Sequence, residues 1–184
     1  GNFWRGRSAD SAMDRTKADQ IGMLATVMNA IYLADAFRQQ GTKAVIQTPV
    51  VFGTMTELFS KDSALAHLEN GEVLIFAAGL GHPFFSTDTI TALRGAELDV
   101  DGLFFAKNID GVYDDDPAKN PNAKKFDVIT SEDIVKKNLK GIDTSAAALC
   151  FERKIPVVIF GLNEENSIMR AVKGEKIGTL VTVS

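Results

Sequence analysis

The chain has 184 residues, 45% of them hydrophobic, and a formal net charge of −4 at pH 7. This length is sufficient for one domain with a substantial apolar core, and we predict a single domain over residues 1–184. The acidic balance argues against nucleic acid as a partner, because no surplus of lysine and arginine is left to neutralise its phosphates. A mononucleotide is still possible, because it needs only a few local donors.

The cysteine content and the hydropathy of the sequence indicate the cellular compartment of the protein. Cys150 is the single cysteine, which excludes an internal disulfide framework and fits a reducing cytoplasm. Its apolar neighbours indicate a buried structural thiol. No signal peptide is visible, and no apolar run approaches the roughly 20 residues of a membrane helix. We predict a cytoplasmic protein with no membrane partner, and the abrupt start at Gly1 leads us to expect a missing N-terminal piece.

The N-terminal part of the chain combines a cationic loop with a long helix. Arg5 and Arg7 lie in the loop, where they either clamp phosphate oxygens or face solvent. From 14 to 40, apolar residues recur at spacings of three and four, which predicts a helix. Asp19, near its start, is either a partner of the helix dipole or an acceptor for a ligand hydroxyl. The predicted buried stripe of this helix consists of Ile21, Leu24, Ala25, Met28 and Ile31.

Strands and helices are predicted to alternate along the rest of the chain. The predicted strands are 43–48, 73–78, 103–106, 155–160 and 178–183, and the predicted helices are 60–70, 130–140, 146–153 and 166–172. A further helix is predicted to run through 92–94, with its N-cap among residues 86–88. This alternation is typical of an α/β fold, and we predict a three-layer sandwich with a mainly parallel central sheet flanked by helices.

The stretch from 78 to 94 carries the strongest functional pattern. Gly79 and Gly81 permit a tight turn and a close approach of backbone to a ligand. Phe84 and Phe85 add flat apolar faces, and small polar residues then lead into a helix N-terminus. Together these features suit an anionic, partly flat ligand such as a nucleotide. The alternative is an ordinary strand-to-helix connection with two core phenylalanines.

Acidic residues later in the chain are further candidates. The run from Asp114 to Asp116 predicts an exposed turn, because consecutive carboxylates converge poorly on a metal ion. Tyr113 either stacks on a base or packs the loop. Asp143 precedes a predicted helix, where it either caps the helix or orients cationic groups around transferring phosphates.

Few residues are available for other kinds of chemistry. The chain has two histidines and one cysteine, and it contains no metal-ligand cluster, nucleophile elbow or Walker loop. We therefore predict no metal-ligating residues. Phosphoryl transfer onto an existing phosphate needs no enzymatic base, because the acceptor's second pKa is about 6. Its catalysis consists mainly of positioning and charge stabilisation.

Four pairs of segments carry a further signal, 13–15 with 19–29, 81–88 with 93–95, 110–113 with 116–119, and 174–176 with 178–180. In order and over nearly the whole chain, they resemble bacterial uridylate (UMP) kinases of the amino acid kinase superfamily. The opening Gly1-Asn2 resembles the end of the family's Gly-Gly-Gly-Asn loop. The resemblance implies an amino acid kinase-like fold and transfer of the γ-phosphoryl group of ATP to UMP, with Mg²⁺, in pyrimidine nucleotide synthesis. It also implies a homohexamer that GTP activates and UTP inhibits.

On the acceptor side, the resemblance assigns two parts of the sequence. Asp19 matches the acidic residue that holds the UMP ribose. The following loop matches the UMP-binding loop, with implied contacts at Leu80, Gly81, His82, Pro83, Phe84, Phe85, Ser86 and Thr87.

On the donor side, the implied ATP-binding residues are Gly1, Arg5, Lys107, Asn108, Tyr113 and Asp116. The alignment leaves open which of Lys107 and Asn108 makes the contact. Gly1 and Arg5 match phosphate-loop positions. Asp143 matches the acid that organises the transfer centre, so the implied catalytic residues are Asp143 and Arg5.

Three features depart from the family pattern. Leu80 and His82 stand where many relatives have Thr and Asn, the acidic loop is heavier, and the first strand with its Lys-x-Ser-Gly motif is absent. Without that lysine the alternative is a catalytically silent nucleotide-binding regulatory or storage protein of the same fold. Acetylglutamate, aspartate and carbamate kinases are weaker alternatives, because the loop at 81–88 belongs with UMP recognition.

Overall fold

The structure, a computed structural model, describes Trp4 and residues 12–183. Within these residues it has six helices and seven strands. In chain order they are α1 (Arg15–Gln39), β1 (Ala44–Thr48), β2 (Glu57–Leu58), α2 (Lys61–Glu69), β3 (Val73–Phe76), α3 (Thr87–Glu97), β4 (Leu103–Lys107), β5 (Val128–Thr130), α4 (Ser131–Lys137), α5 (Thr144–Arg153), β6 (Val157–Gly161), α6 (Ser167–Val172) and β7 (Thr179–Thr182).

The chain divides into two compact units, the first ending at Ser86 and the second beginning at Thr87. Each unit contains one sheet flanked by helices. The predicted α/β class with mainly parallel strands is confirmed. The strands are distributed over two sheets, and the assignment of the whole chain to one domain stays a prediction.

The sheet of the first unit has the order β2-β1-β3, and both pairs of neighbours are parallel. Its core lies between α1 and the sheet. The buried members are Val27, Ala30, Ala34, Ala44, Ile46, Ala77 and Ala78. This core ends at the C-terminal end of β3, where the glycine loop begins.

Helix α1 buries a different face from the predicted one. Its buried residues are Ala18, Ala25, Val27, Ala30 and Ala34. Leu24, Met28 and Ile31 are exposed, so the predicted stripe is wrong at these three positions, whereas Ala25 is buried and Ile21 is half-buried. Small side chains allow the helix backbone to lie close to the sheet, whereas the larger apolar side chains occupy the opposite face.

That composition also makes α1 the one helix in the described part of the chain that is long and apolar enough to cross a membrane, with a mean hydropathy of 1.2 over 18 residues. The expectation that no stretch approaches this length is therefore wrong for α1. The core helix of a soluble protein meets the same criterion, so length and composition alone do not assign α1 to a membrane.

The sheet of the second unit has the order β4-β6-β7-β5. The outer pairs are parallel, whereas β6 and β7 are antiparallel. The approach of these two strands requires glycine at Gly178, because a Cβ there would lie 1.9 Å from the carbonyl oxygen of Ile159.

The core of the second unit surrounds Cys150 on α5. It includes Phe105, Val112, Ile134, Ala146, Val157, Ile159 and Val181. Cys150 is only 1% exposed, and burial raises the pKa of its thiol to about 11. The predicted buried structural thiol is confirmed, because a thiol that stays protonated at neutral pH is a poor nucleophile.

Polar side chains cap the start of several helices. Asp14 accepts a hydrogen bond from the amide of Lys17 at 3.1 Å, and Thr130 accepts one from Asp133 at 3.0 Å. Asp143 occupies the N-cap position of α5, but its side chain makes no capping hydrogen bond. The carboxylate of Asp143 is therefore directed to a different role.

An ionic cluster around His67 joins three segments of the first unit. Its Nδ1 lies 2.6 Å from Glu72 Oε2, before β3, and its Nε2 lies 3.0 Å from Glu57 Oε2 on β2. Only the charged imidazolium can donate from both nitrogens. The hydrogen bond with Glu72, followed by that with Glu57, raises the pKa of His67. Lys43 Nζ lies 3.8 Å from Glu72 Oε1, and the side-chain nitrogen Nε2 of Gln47 lies 3.4 Å from Glu57 Oε2.

We predict that His67→Gln lowers the stability of the first unit at acidic but not at alkaline pH. The folded-state pKa of His67 lies above the ordinary value of 6.5. Its stabilisation is therefore fully present below about pH 6.5 and is lost as pH rises through the raised pKa. Urea unfolding followed by Trp4 fluorescence at a series of pH values measures the difference. His82→Gln is the control, and a difference independent of pH would contradict the prediction.

Candidate functional site

In the first unit, the structure brings Asp19 and the glycine loop together. Asp19 lies near the start of α1, and its Oδ2 accepts a hydrogen bond from the backbone amide of Phe84 at 3.0 Å. Its Oδ1 accepts one from Arg15 Nε at 2.9 Å. The carboxylate therefore faces the predicted ligand loop.

The loop itself is built from unusual backbone conformations. Ala78, Gly79, Gly81 and Phe84 all have positive φ angles, of 61°, 57°, 76° and 72° respectively. The amide of Ala78 donates to Thr26 Oγ1 at 2.8 Å, which fixes the beginning of the loop on α1. Left-handed conformations cost energy in residues other than glycine, and they concentrate at ligand-binding sites.

The two aromatic residues of this loop are exposed to solvent. Phe84 is 65% exposed and Phe85 is 59% exposed, so the alternative of two core phenylalanines is wrong. His82 is also exposed, whereas Leu80, Gly81, Pro83 and Ser86 are half-buried. Thr87 is exposed and begins α3 in the second unit. The first unit thus offers flat apolar surfaces next to the Asp19 carboxylate.

In the second unit, a polar cluster forms around Asp88, which is 8% exposed. Its Oδ2 accepts hydrogen bonds from Lys107 Nζ and, at 3.1 Å, from the backbone amide of Asp143. Asp143 Oδ2 in turn accepts one from Thr89 Oγ1 at 2.9 Å. The cluster joins the start of α3, the C-terminal end of β4 and the start of α5. Ligands of α/β proteins bind at such carboxyl ends of strands.

Tyr113 belongs to a second polar group in this unit. Its hydroxyl donates to Asp110 Oδ1 at 2.7 Å, and Lys125 Nζ donates to Asp110 Oδ2 at 2.8 Å. Burial alone would raise the pKa of Asp110, but the two hydrogen bonds outweigh it and hold that pKa below its usual value. The bond to Asp110 also raises the pKa of Tyr113. Tyr113 is therefore a fixed, neutral phenol at physiological pH.

The acidic turn beyond Tyr113 is mostly occupied with its own backbone. Asp114 Oδ1 accepts from the amide of Lys124 at 2.7 Å, and Asp116 Oδ1 accepts from that of Ala118 at 3.1 Å. Asp116 Oδ2 also lies 3.5 Å from Lys140 Nζ. Among the residues that the structure describes, no group of three or more His, Cys, Asp or Glu side chains is placed to hold a metal ion.

The predicted ATP-binding residues also include Gly1, Arg5, Lys107 and Asn108. Gly1 and Arg5 lie outside the described residues. Asn108 is exposed and directly follows Lys107, so the two alternatives for one ATP contact are adjacent. Of these two, Lys107 is the one that reaches the Asp88 cluster.

Sequence reasoning missed the central position of Asp88, which it treated only as part of a helix start. The signal lay in its place at the end of the small polar run after the aromatic pair. Arg15 lies in one of the segments that resemble the family, but no role was predicted for it. The contact between Asp88 and Asp143 could not be found from spacing, because the two residues are 55 positions apart. The pair of Arg15 and Asp19 lies four residues apart on one helix, and this spacing was the signal that could have found it.

Comparison with known proteins agrees with this fold over the whole chain. The family model described as "Amino acid kinase family" matches residues 1–161. The crystal structure of UMP kinase from Bacillus anthracis has a TM-score of 0.92 at 32% identity, covering 100% of this chain and 77% of that one. UMP kinase from Ureaplasma parvum has a TM-score of 0.90 at 34% identity, covering 99% of this chain and 78% of that one.

A more distant likeness exists to uridylate kinase from Archaeoglobus fulgidus, with a TM-score of 0.69, 28% identity, and coverage of 93% of this chain and 74% of that one.

Mainly parallel strands with polar clusters at their carboxyl ends define an α/β protein of the ligand-binding kind. The chain belongs to the amino acid kinase family.

We predict that Asp88 and Lys107 are energetically coupled. A double-mutant cycle with Asp88→Asn and Lys107→Met should give an interaction free energy of about 1–3 kcal/mol, because the largely buried pair loses a partner in each single variant. Urea unfolding of the four proteins measures it. The matched control is the exposed pair of Glu132 and Lys136 on α4, for which the coupling should be near zero. Equal coupling in the two pairs would contradict the prediction.

Proposed function

We propose that this chain is a UMP kinase, which transfers the γ-phosphoryl group of ATP to UMP and gives ADP and UDP. The observation that carries the proposal is the similarity to two bacterial UMP kinases over at least 99% of the chain. The contact between Asp19 and the glycine loop supports it, because it joins the two parts that the family resemblance assigns to UMP.

In the first unit, the proposed role of Asp19 is to accept a hydrogen bond from a hydroxyl of the UMP ribose. The glycine loop approaches the nucleotide closely, and the exposed rings of Phe84 and Phe85 offer apolar surface to it. The UMP phosphate is itself the nucleophile and is largely dianionic near neutral pH. The loop therefore has only to hold and orient it.

In the second unit, the proposed role of Lys107 is to stabilise negative charge on the phosphoryl group in transit. Asp88 holds the ammonium group, and the same oxygen fixes the backbone at Asp143. We also propose that ATP contacts Asn108, Tyr113 and Asp116, which belong to the same unit. Gly1 and Arg5 complete the proposed set from outside the described residues.

The residues present fit Mg²⁺, which usually takes one or two carboxylates and completes its shell with phosphate oxygens and water. Asp143 would supply such a carboxylate, which departs from our prediction that no residue ligates a metal. Its side chain does not cap α5, and its Oδ2 accepts a hydrogen bond from Thr89. When bound with ATP, the ion would neutralise charge on the phosphates. A site of this kind does not need the three-residue cluster that is absent from the described part of the chain.

The experiment that tests the proposal is an ADP-release assay on the full-length protein with ATP and Mg²⁺. The acceptors are UMP, CMP, dTMP, acetylglutamate and aspartate. We expect turnover confined largely to UMP, because the loop at 81–88 is the part assigned to the acceptor. Silence with every acceptor, together with retained nucleotide binding, would overturn the proposal in favour of a regulatory or storage protein.

We further propose that the protein assembles as a homohexamer in the cytoplasm, in pyrimidine nucleotide synthesis, and responds to GTP and UTP. The exposed face of α1 supports self-association. It carries four large apolar side chains at helical spacing, Leu24, Met28, Ile31 and Tyr32. Tyr32 is 81% exposed. Contiguous apolar surface of this kind marks an interaction site, and soluble oligomers are mostly symmetric copies of one chain.

We predict that Met28→Glu shifts the protein to smaller species, because it places a charge in the middle of this apolar face. Sedimentation velocity of the full-length protein measures the distribution. Leu68→Glu, on exposed Leu68 of α2, is the matched control and should leave the distribution unchanged. An unchanged distribution in Met28→Glu would place the subunit contacts elsewhere.

A further inference from the structure

Arg15, Asp19 and Phe84 contact one another in the first unit. Arg15 Nε donates to Asp19 Oδ1 at 2.9 Å, and the Phe84 amide donates to Asp19 Oδ2 at 3.0 Å. The guanidinium carbon of Arg15 lies 5.8 Å from the centroid of the Phe84 ring. Each residue therefore touches the other two.

Phe84 needs such support more than its neighbours do. Its φ angle of 72° lies in the left-handed region, which is unfavourable for a residue with an aromatic side chain. Its ring is largely exposed, so burial in the core does not hold it. Two contacts among the described residues oppose this strain, the hydrogen bond from its amide to Asp19 and the guanidinium of Arg15 beside its ring.

Arg15 is suited to this task by its shape. A guanidinium is planar and carries donors in a fixed fork, so it can bind a carboxylate and lie against an aromatic ring at the same time. An ammonium group is a compact point charge without that geometry. The Arg15 side chain is half-exposed, so its ion pair with Asp19 adds little to stability and mainly fixes orientation.

We propose that Arg15 is a positioning residue of the acceptor-nucleotide site, which orients the Asp19 carboxylate and holds the Phe84 turn of the loop ready for the nucleotide. This inference rests on the proposed UMP kinase function. It adds a residue whose contribution is made through Asp19 and Phe84 and not through contact with the reacting atoms.

The chain offers a matched control on the same turn of α1. Lys17 is also cationic, but its ammonium lies 3.5 Å from Gln20 Oε1. Lys17→Gln therefore removes the same charge as Arg15→Gln without removing the contacts to Asp19 and Phe84. Trp4 provides a check on local folding, because its indole donates to the carbonyl of Ala18, next to Asp19, at 2.9 Å.

The test is steady-state kinetics of the full-length protein with UMP as the varied substrate. In Arg15→Gln the KM for UMP should rise about tenfold while kcat stays within about twofold, because the loss falls on substrate positioning. Arg15→Lys should also raise KM, by about threefold or more, since the ammonium lacks the planar fork. Lys17→Gln should leave both constants near the wild-type values.

Folding is checked separately in each variant. Trp4 fluorescence without nucleotide should be unchanged, and the melting temperature should shift by no more than about 2 °C, as expected for an exposed ion pair. A KM in Arg15→Gln equal to that of Lys17→Gln, or a wild-type KM in Arg15→Lys, would overturn the inference alone. A wild-type protein that does not turn over UMP would overturn it together with the proposed function.

Discussion

The arrangement of the second unit depends on one oxygen, Oδ2 of Asp88. It binds the ammonium of Lys107 and the backbone amide of Asp143, so it ties α3 to the end of β4 and to the start of α5. A carboxylate this deeply buried is costly unless charge and hydrogen bonds compensate it. The same compensation brings Lys107 and Asp143 to one place, and Asp143 is left with its carboxylate turned away from the helix cap.

The first unit uses the same device with different residues. Asp19 accepts from a cation, Arg15, and from a backbone amide, that of Phe84. In both units a carboxylate near the start of a helix thus holds a cationic side chain and a distant peptide group together. Charge-assisted hydrogen bonds are stronger than neutral ones, which makes them suitable for fixing loops whose backbone is strained.

The sequence indicated the local features of this fold because they depend on neighbouring residues. The caps at Asp14 and Thr130 and the glycine loop could be predicted from short-range rules. The buried face of α1 could not, because both faces are apolar and the choice depends on how closely the helix approaches the sheet. Strands β2 and β5 were missed because they have only two and three residues, which is too short for a periodic pattern. The role of Asp88 depends on contacts across 55 residues.

The burial of Cys150 has a practical consequence for the chemistry of the native protein. It is the single thiol of the chain, it is almost fully inaccessible, and its pKa of about 11 keeps it protonated. The folded protein therefore behaves towards maleimides and similar reagents as if it had no cysteine. A cysteine introduced at an exposed position would react selectively without removal of the natural one. Conversely, modification of the unaltered chain would report opening of the second unit around α5.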